Sequence, residues 1–403
     1  MKDNLLKKTI LLSISHLPIL LLFAAGTAYG AGGGHDHDHD HSHDHSDDHA
    51  ATEKSSPFYA HIHVTVHGDS IIDAEEADEE FNEAYSHSHL DMGYRFGGGF
   101  SVNTTIKLEG EPSGHDHGHG GGGGDADGSD KFFEDHPLLV ETLTVNYDAQ
   151  YFSLFAGKFN PVIGFDYHRF PGIYGYQSIE EYAVRERIGF GGALKLPTDD
   201  FGSHQLDFST FFADTTILSD SLLYERGQTD LDDGGLANTE DFSSFSLSLG
   251  GRNIPVLTTQ PGTGLSYRFG YARQAEGDGG EAAETRFSTS LGYRYQFTNS
   301  FGAELLGEHM NIRHLGGEEL HDRNYTTGSV RLDYNQWNLG TSYTYIKNDA
   351  EEADEDINGN VFQVSLGYTF LNGFEVGVGY KRADEEDEVT ERVGFLVGYS
   401  YEF

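Results

Sequence analysis

From residue 57 to the C-terminus, apolar and polar residues alternate in runs of about ten, the period of two that belongs to strands with unlike faces. The last run shows it most clearly. Val393, Phe395, Val397, Tyr399, Tyr401 and Phe403 share one face, and Gly394, Leu396, Gly398, Ser400 and Glu402 share the other. Upstream, Phe362, Val364, Leu366, Tyr368 and Phe370 oppose Gln363, Ser365, Gly367 and Thr369. Phe287, Thr289, Leu291, Tyr293 and Tyr295 likewise oppose Ser288, Ser290, Gly292, Arg294 and Gln296. An apolar face rich in aromatics, backed by small and polar groups, is what the wall of a transmembrane β-barrel requires.

The pattern predicts strands over 57–66, 89–97, 100–109, 138–147, 150–158, 184–196, 203–213, 242–251, 262–275, 284–297, 301–313, 324–334, 337–347, 360–370, 374–383 and 391–403. Short and long connections alternate between them. Gly98–Gly99, Asp148–Ala149, Asn335–Gln336 and Leu371–Gly373 are short, while the long ones are acidic or His-rich. The expected fold is therefore all-β: a transmembrane antiparallel barrel of about sixteen strands, with short periplasmic turns and long extracellular loops. Arg252–Pro261 is long where a short turn is expected, which leaves fourteen or eighteen strands open. A soluble sandwich also alternates, but it would show shorter strands and buried aliphatic residues in place of aromatics near strand ends.

The N-terminus changes the picture of where the chain goes. Lys2, Lys7 and Lys8 precede an apolar run from Thr9 to Phe23 and the small residues Ala24 to Ala28, the layout of a secretory signal peptide. Residues 1–30 are read as that signal, with cleavage after Ala28 or Gly30. Residues 31–56 are read as a disordered His- and Asp-rich periplasmic tail, and residues 57–403 as the barrel. Composition agrees: 52 Gly, 28 Phe, 23 Tyr and no Cys. The mean hydropathy of −0.49 reflects alternation and does not argue for solubility.

One long connection is unlike the others. Asn160 to Ala183 carries Phe165, Tyr167, Phe170, Ile173, Tyr174, Tyr176, Ile179 and Tyr182. A loop that apolar is expected to fold into the barrel and narrow it. Here the chain resembles the sixteen-stranded bacterial porins, whose third loop folds into the channel, and Gly157, Lys158, Phe159, Asn160, Pro161 and Gly164 look like a strand-end segment of porin-like families. The terminal Phe403, preceded by Tyr399 and Tyr401, resembles the sorting signal of Gram-negative outer-membrane barrels. The resemblance implies an outer-membrane porin for passive diffusion of small hydrophilic solutes. It also implies contact with outer-membrane lipid, lipopolysaccharide and the barrel assembly machinery, and a possible homotrimer. The expected constriction sets Asp166, Glu180 and Glu181 of the loop against Arg185, Arg187 and Lys195 of the next strand, a transverse field across water. Arg268, Arg294 and Arg331 also reach the lumen by alternation.

Charge and histidine refine this expectation. The net charge is −41, with acidic loops at Asp69–Glu83, Asn348–Gly359 and Asp384–Glu391, so cations are favoured and nucleic acid is not a partner. His35, His37, His39, His41, His43, His45 and His49 in the tail, and His115, His117 and His119 in the second long loop, offer many weak, exchangeable sites for divalent metal, with zinc the first choice. His61, His63, His67, His87, His89 and His136 lie nearby in sequence, whereas His168, His204, His309, His314 and His321 read as isolated. Zn2+ would be loosely bound cargo, and no cofactor is required. The chain has no Gly-x-Ser-x-Gly elbow and no hydrolytic triad, so an enzyme is not expected. A receptor-like porin for metal or metal chelate without energy coupling, and a structural or adhesive barrel, remain as alternatives.

Overall fold

The computed structural model describes residues 56–74, 80–110, 130–198, 201–224, 226–257, 260–350, 358–385 and 388–403. Its strands are β1 (Phe58–Asp73), β2 (Asn82–Gly97), β3 (Phe100–Glu109), β4 (Lys131–Phe132), β5 (Leu138–Asp148), β6 (Phe152–Phe159), β7 (Arg187–Thr198), β8 (Gly202–Ala213) and β9 (Ser244–Ile254). They continue as β10 (Gly264–Gln274), β11 (Glu284–Thr298), β12 (Phe301–Arg313), β13 (Asp322–Tyr334), β14 (Trp337–Asp349), β15 (Gly359–Thr369), β16 (Phe374–Glu385) and β17 (Glu388–Glu402). All belong to one sheet. Apart from the two-residue β4, sixteen strands follow one another around a closed antiparallel ring. β1 completes it against β17, with His61 opposite Glu402 and Val66 opposite Val397, so the barrel has no free edge.

The two faces separate as the period of two requires. On β17, Phe395 is 52% exposed on the outer face while Arg392, on the inner one, is 6% exposed. Aromatic residues gather at the short-turn end: Phe100 against Tyr147, Phe297 against Phe301, Trp337 against Tyr368, Phe374 against Tyr399 and Tyr401 against Phe403 all have ring centroids 4.7 to 4.9 Å apart. This is the girdle that amphipathic rings form at a membrane–water interface. Phe403 is stitched to the first strand through its backbone N–H, which donates to Ala60 O at 2.8 Å.

Of the boundaries that differ from the sequence reading, three bear on the interior of the barrel. β1 runs on to Asp73 and β2 begins at Asn82, so Asp69 and Glu83 are not loop residues. They face each other in the β1–β2 ladder. The apolar signal fades there because polar groups occupy both faces, yet the ladder continues. β3 ends at Glu109, and above it β4 takes its place beside β2 in a short parallel pairing at Glu83 and Ala84. β7 starts at Arg187 instead of 184, because Glu186 adopts φ +54° and breaks the extended run. The Arg252–Pro261 question resolves as one long turn between Ile254 and Gly264, with no further strand among the described residues.

Candidate functional site

The connection from β6 to β7 runs as a strap along the inner wall. Asn160 clamps its root: its side-chain carbonyl accepts from Glu186 N at 2.9 Å, and its amide donates to Glu141 Oε1 at 3.1 Å. Asp166 caps a single 3-10 turn, Tyr167–Arg169, by accepting from His168 N at 2.8 Å. A one-turn helix, Gln177–Glu180, follows. Between these points the strap meets strand after strand. Phe165 N donates to Glu308 Oε2 on β12 (2.7 Å), Ile173 N to Ser365 Oγ on β15 (3.1 Å), and Tyr174 Oη to Asp69 Oδ1 on β1 (2.8 Å). Tyr182 Oη returns to Glu308 Oε1 at 2.7 Å.

The wall is shaped to receive it. Lumen positions are usually polar in such barrels, but β12 turns Leu306, Met310 and Ile312 inward. These pack with Ile163, Phe170, Ile179 and Tyr182 of the strap in one buried cluster. Elsewhere the seats are glycines. A Cβ at Gly270 would run into the Ile163 carbonyl, at Gly340 it would lie 2.8 Å from Pro171 Cβ, and at Gly379 it would lie 2.8 Å from Ile173 Cγ1. Only a residue without a side chain lets backbone and ring approach this closely.

Charge locks the strap down. Lys107 on β3 is held by Glu141 at 3.2 Å, Glu109 at 3.7 Å and Glu180 at 3.8 Å, and donates to Tyr167 Oη at 2.9 Å. Arg185 pairs with Glu180, and Arg169 Nε donates to Glu304 Oε1 at 3.1 Å. At the root, the fully buried Lys158 ammonium lies 2.8 Å from Glu186 and 2.9 Å from Asp214, and Arg226 also grips Glu186 at 2.8 Å. Burial alone would raise the Glu186 carboxyl, but the hydrogen bond from Arg226 and the charges of Lys158 and Arg226 together hold it well below the usual carboxylate range.

The charged residues singled out in the sequence are thus dispersed around this strap. Asp166, Glu180, Glu181 and Arg185 lie on it. Arg187 opens β7 at its root and donates to Gln274 Oε1 at 2.9 Å. Lys195 stands apart, paired with Asp148 at 3.2 Å near the short-turn end. Of these six, Glu180 and Arg185 pair with each other directly, and short-range pairing satisfies buried charge better than separation does. Replacing both Arg185 and Arg187 with Ala leaves Glu180 and Glu109 in place. The expected result is a reversal potential shifted toward the cation side in a salt gradient; an unshifted potential places both guanidinium groups off the ion path.

Every histidine chosen as a metal ligand from the sequence, His35 to His49 and His115 to His119, lies outside the described residues. A different set comes together within them. His61, His63 and His67 occupy the inner phase of β1, and His87 and His89 that of β2, with His63 opposite His89 and His61 opposite Asp91. The His63 and His89 ring centroids are 5.1 Å apart. His67 stacks on Tyr85 at 4.9 Å, and His87 meets Tyr176 of the strap at 4.9 Å. His168 is not isolated, as its sequence neighbours imply, because the strap brings it to 5.9 Å from His87 and 6.2 Å from His89. The signal that reveals this group is the shared parity of its positions on two successive strands.

Comparison with known proteins places this geometry. A family model described as Gram-negative porin matches residues 49–403. Among solved structures, the chain is similar to the outer membrane channel DcaP of Acinetobacter baumannii (12% identity, TM-score 0.52, covering 87% of this chain and 99% of that one). It is also similar to OprB of Pseudomonas putida (9% identity, TM-score 0.61, covering 86% and 94%). No curated protein sequence matches the chain.

Proposed function

The chain belongs to the Gram-negative porin family and forms an outer-membrane channel for passive diffusion, and from that premise we propose that it passes small hydrophilic solutes, cations ahead of anions, while its His-rich segments gather divalent metal, zinc first. In this reading residues 1–30 direct export and residues 31–56 form a periplasmic tail. The strap and the charges at Asp166, Glu180, Glu181, Arg185 and Arg187 make the narrowest part, with Lys195 toward the periplasmic mouth. Zinc is loosely held cargo, no cofactor is required, and three copies assemble side by side.

The observation that carries the reading is the strap itself. It is held along the inner wall by hydrogen bonds to β12, β15 and β1, which narrows a barrel without a separate plug. The cation preference rests on 66 Asp and Glu against 25 Lys and Arg. A second reading, a dedicated metal porin, draws support from the histidines that face inward on β1 and β2.

The test is single-channel recording of the refolded protein in a planar bilayer under a salt gradient, with and without zinc. A steady conductance is expected, with a cation-side reversal potential that weakens toward 1 M salt, where the screening length falls to about 3 Å. Anion selectivity, or no conductance from folded barrels, overturns the reading. Deleting residues 32–49 is expected to leave conductance intact and to lower the zinc bound per chain in equilibrium dialysis; unchanged stoichiometry removes the tail from the metal role.

A further inference from the structure

We propose that the lumen face of β1 and β2 carries a binding site for one divalent transition-metal ion of the zinc class, built from His61, His89 and Asp91. This goes beyond the metal role of the tail and the second long loop, to which none of the three residues belongs. It rests on the channel reading only in requiring water in the lumen.

The register creates the site. His61 lies opposite Asp91 and His63 opposite His89, so the period of two brings alternate side chains of adjacent strands onto one patch of wall. One ligand atom each from His61, His89 and Asp91 lies within 4.8 Å of the other two. His61 Nδ1 is 3.7 Å and His89 Nε2 is 3.4 Å from the same Asp91 oxygen, Oδ2. Ligands about 2.0–2.2 Å from a tetrahedral metal are themselves about 3.4 Å apart, so small side-chain rotations close the set on an ion.

The surroundings match such an ion. Thr105 Oγ1 donates to the other oxygen, Asp91 Oδ1, at 2.7 Å. That bond holds the carboxylate with Oδ2 toward the imidazoles, as outer partners orient the ligands of metal sites. Two imidazoles and one carboxylate select zinc, cobalt, nickel or copper over calcium and magnesium, which require more oxygen ligands. Three protein ligands leave a position for water. The His61 and Asp91 side chains are 17% and 20% exposed while that of His89 is 4% exposed, so the site opens to the lumen on one side and is backed by the wall on the other. An ion held this way exchanges. His63, 3.1 Å from Glu375 Oε1 on β16, stands next to it as a further acceptor.

A second convergence, His87 with Glu109 and Glu180, does not qualify. Lys107 approaches both carboxylates, at 3.7 and 3.8 Å, and Arg185 pairs with Glu180. A dication there would displace or face two fixed cations.

The experiment is zinc titration of the folded full chain against a chromophoric chelator, alongside His61→Asn, Asp91→Asn and Thr105→Val. Both ligand variants are expected to lose about one tightly held equivalent, and Thr105→Val to weaken that class by about tenfold. Co2+ is expected to give a visible tetrahedral band in the parent chain that Asp91→Asn removes. In bilayers, ZnCl2 is expected to lower potassium conductance of the parent and not of Asp91→Asn, with MgCl2 inert in both. Heat-modifiable electrophoretic mobility verifies folding, and Asp91→Asn keeps the side-chain shape if His61→Asn fails to assemble. A folded Asp91→Asn barrel with the full zinc complement and an unchanged cobalt spectrum overturns the site. A parent barrel that folds but does not conduct overturns the channel reading instead, and leaves the zinc count to judge the site.

Discussion

Leucine in place of Gly270 and Gly340 together unseats the strap and raises single-channel conductance severalfold in a barrel that still folds. Both glycines face inward where the strap's backbone lies against the wall, at Ile163 and at Pro171–Gly172. Overpacking such a contact costs about 1–3 kcal/mol at each position, and the costs of separate sites add. The wall strands have antiparallel neighbours on both sides, whereas the strap is held by side-chain contacts, so the strap is the part that yields. Bilayer recording reads the result. Unchanged conductance from the folded double variant would mean that the strap does not limit the ion path.

Lys158→Met is expected to be the most destabilising single change at the strap's root. The Lys158 ammonium lies between Glu186 and Asp214 and also donates to Leu218 O at 2.7 Å. Its loss leaves Asp214 buried without its ammonium partner, the situation in which breaking a buried pair costs about 3–5 kcal/mol. Denaturant unfolding in detergent measures the loss, and adding Asp214→Asn is expected to recover part of it. Acid acts on the same cluster. Because Glu186 is held below its free value of 4.5, its contribution is complete above that value and is lost as pH falls through the lowered one. The contribution of this cluster should therefore persist in the parent chain until strong acid, and fail in Lys158→Met, which lacks one cation beside Glu186, at a higher pH. Equal acid midpoints for the two chains would remove Lys158 from this role.

Much of the barrel is legible in the alternation, and particular residues show why the rest is not. Phe362 to Phe370 and Val393 to Tyr401 declare their faces because lipid demands apolar groups at every second position. Asp69 and Glu83 conceal their strands because, near the outer rim, inward and outward positions are both polar. The strap announces itself by its aromatic content, but its seats do not. Gly270 and Gly340 look like any small inward residue until Ile163 and Pro171 are seen against them. β12 held a readable clue, since Ala303 and Leu305 face outward while Leu306, Met310 and Ile312 face inward, and a strand apolar on both sides needs a second partner. The histidine patch required register as well as parity, because only pairing brings Asp91 of β2 beside His61 of β1. By composition alone the denser tracts at 35–49 and 115–119 stand out instead.

Tyr174 shows what the strap means for assembly. Asp69 and Gly394 face each other across the junction of the first and last strands. Tyr174 donates to Asp69 and lies over Gly394, so a residue from the middle of the chain fastens the place where the two ends meet. Neighbouring contacts of the strap reach 192 residues ahead to Ser365 and 204 ahead to Lys381. Contacts so distant in sequence form late, since the chain between must first be ordered. The strap's full set of contacts is therefore complete only once the final hairpin has arrived, and the step that fastens the circle also finishes the seat of the strap.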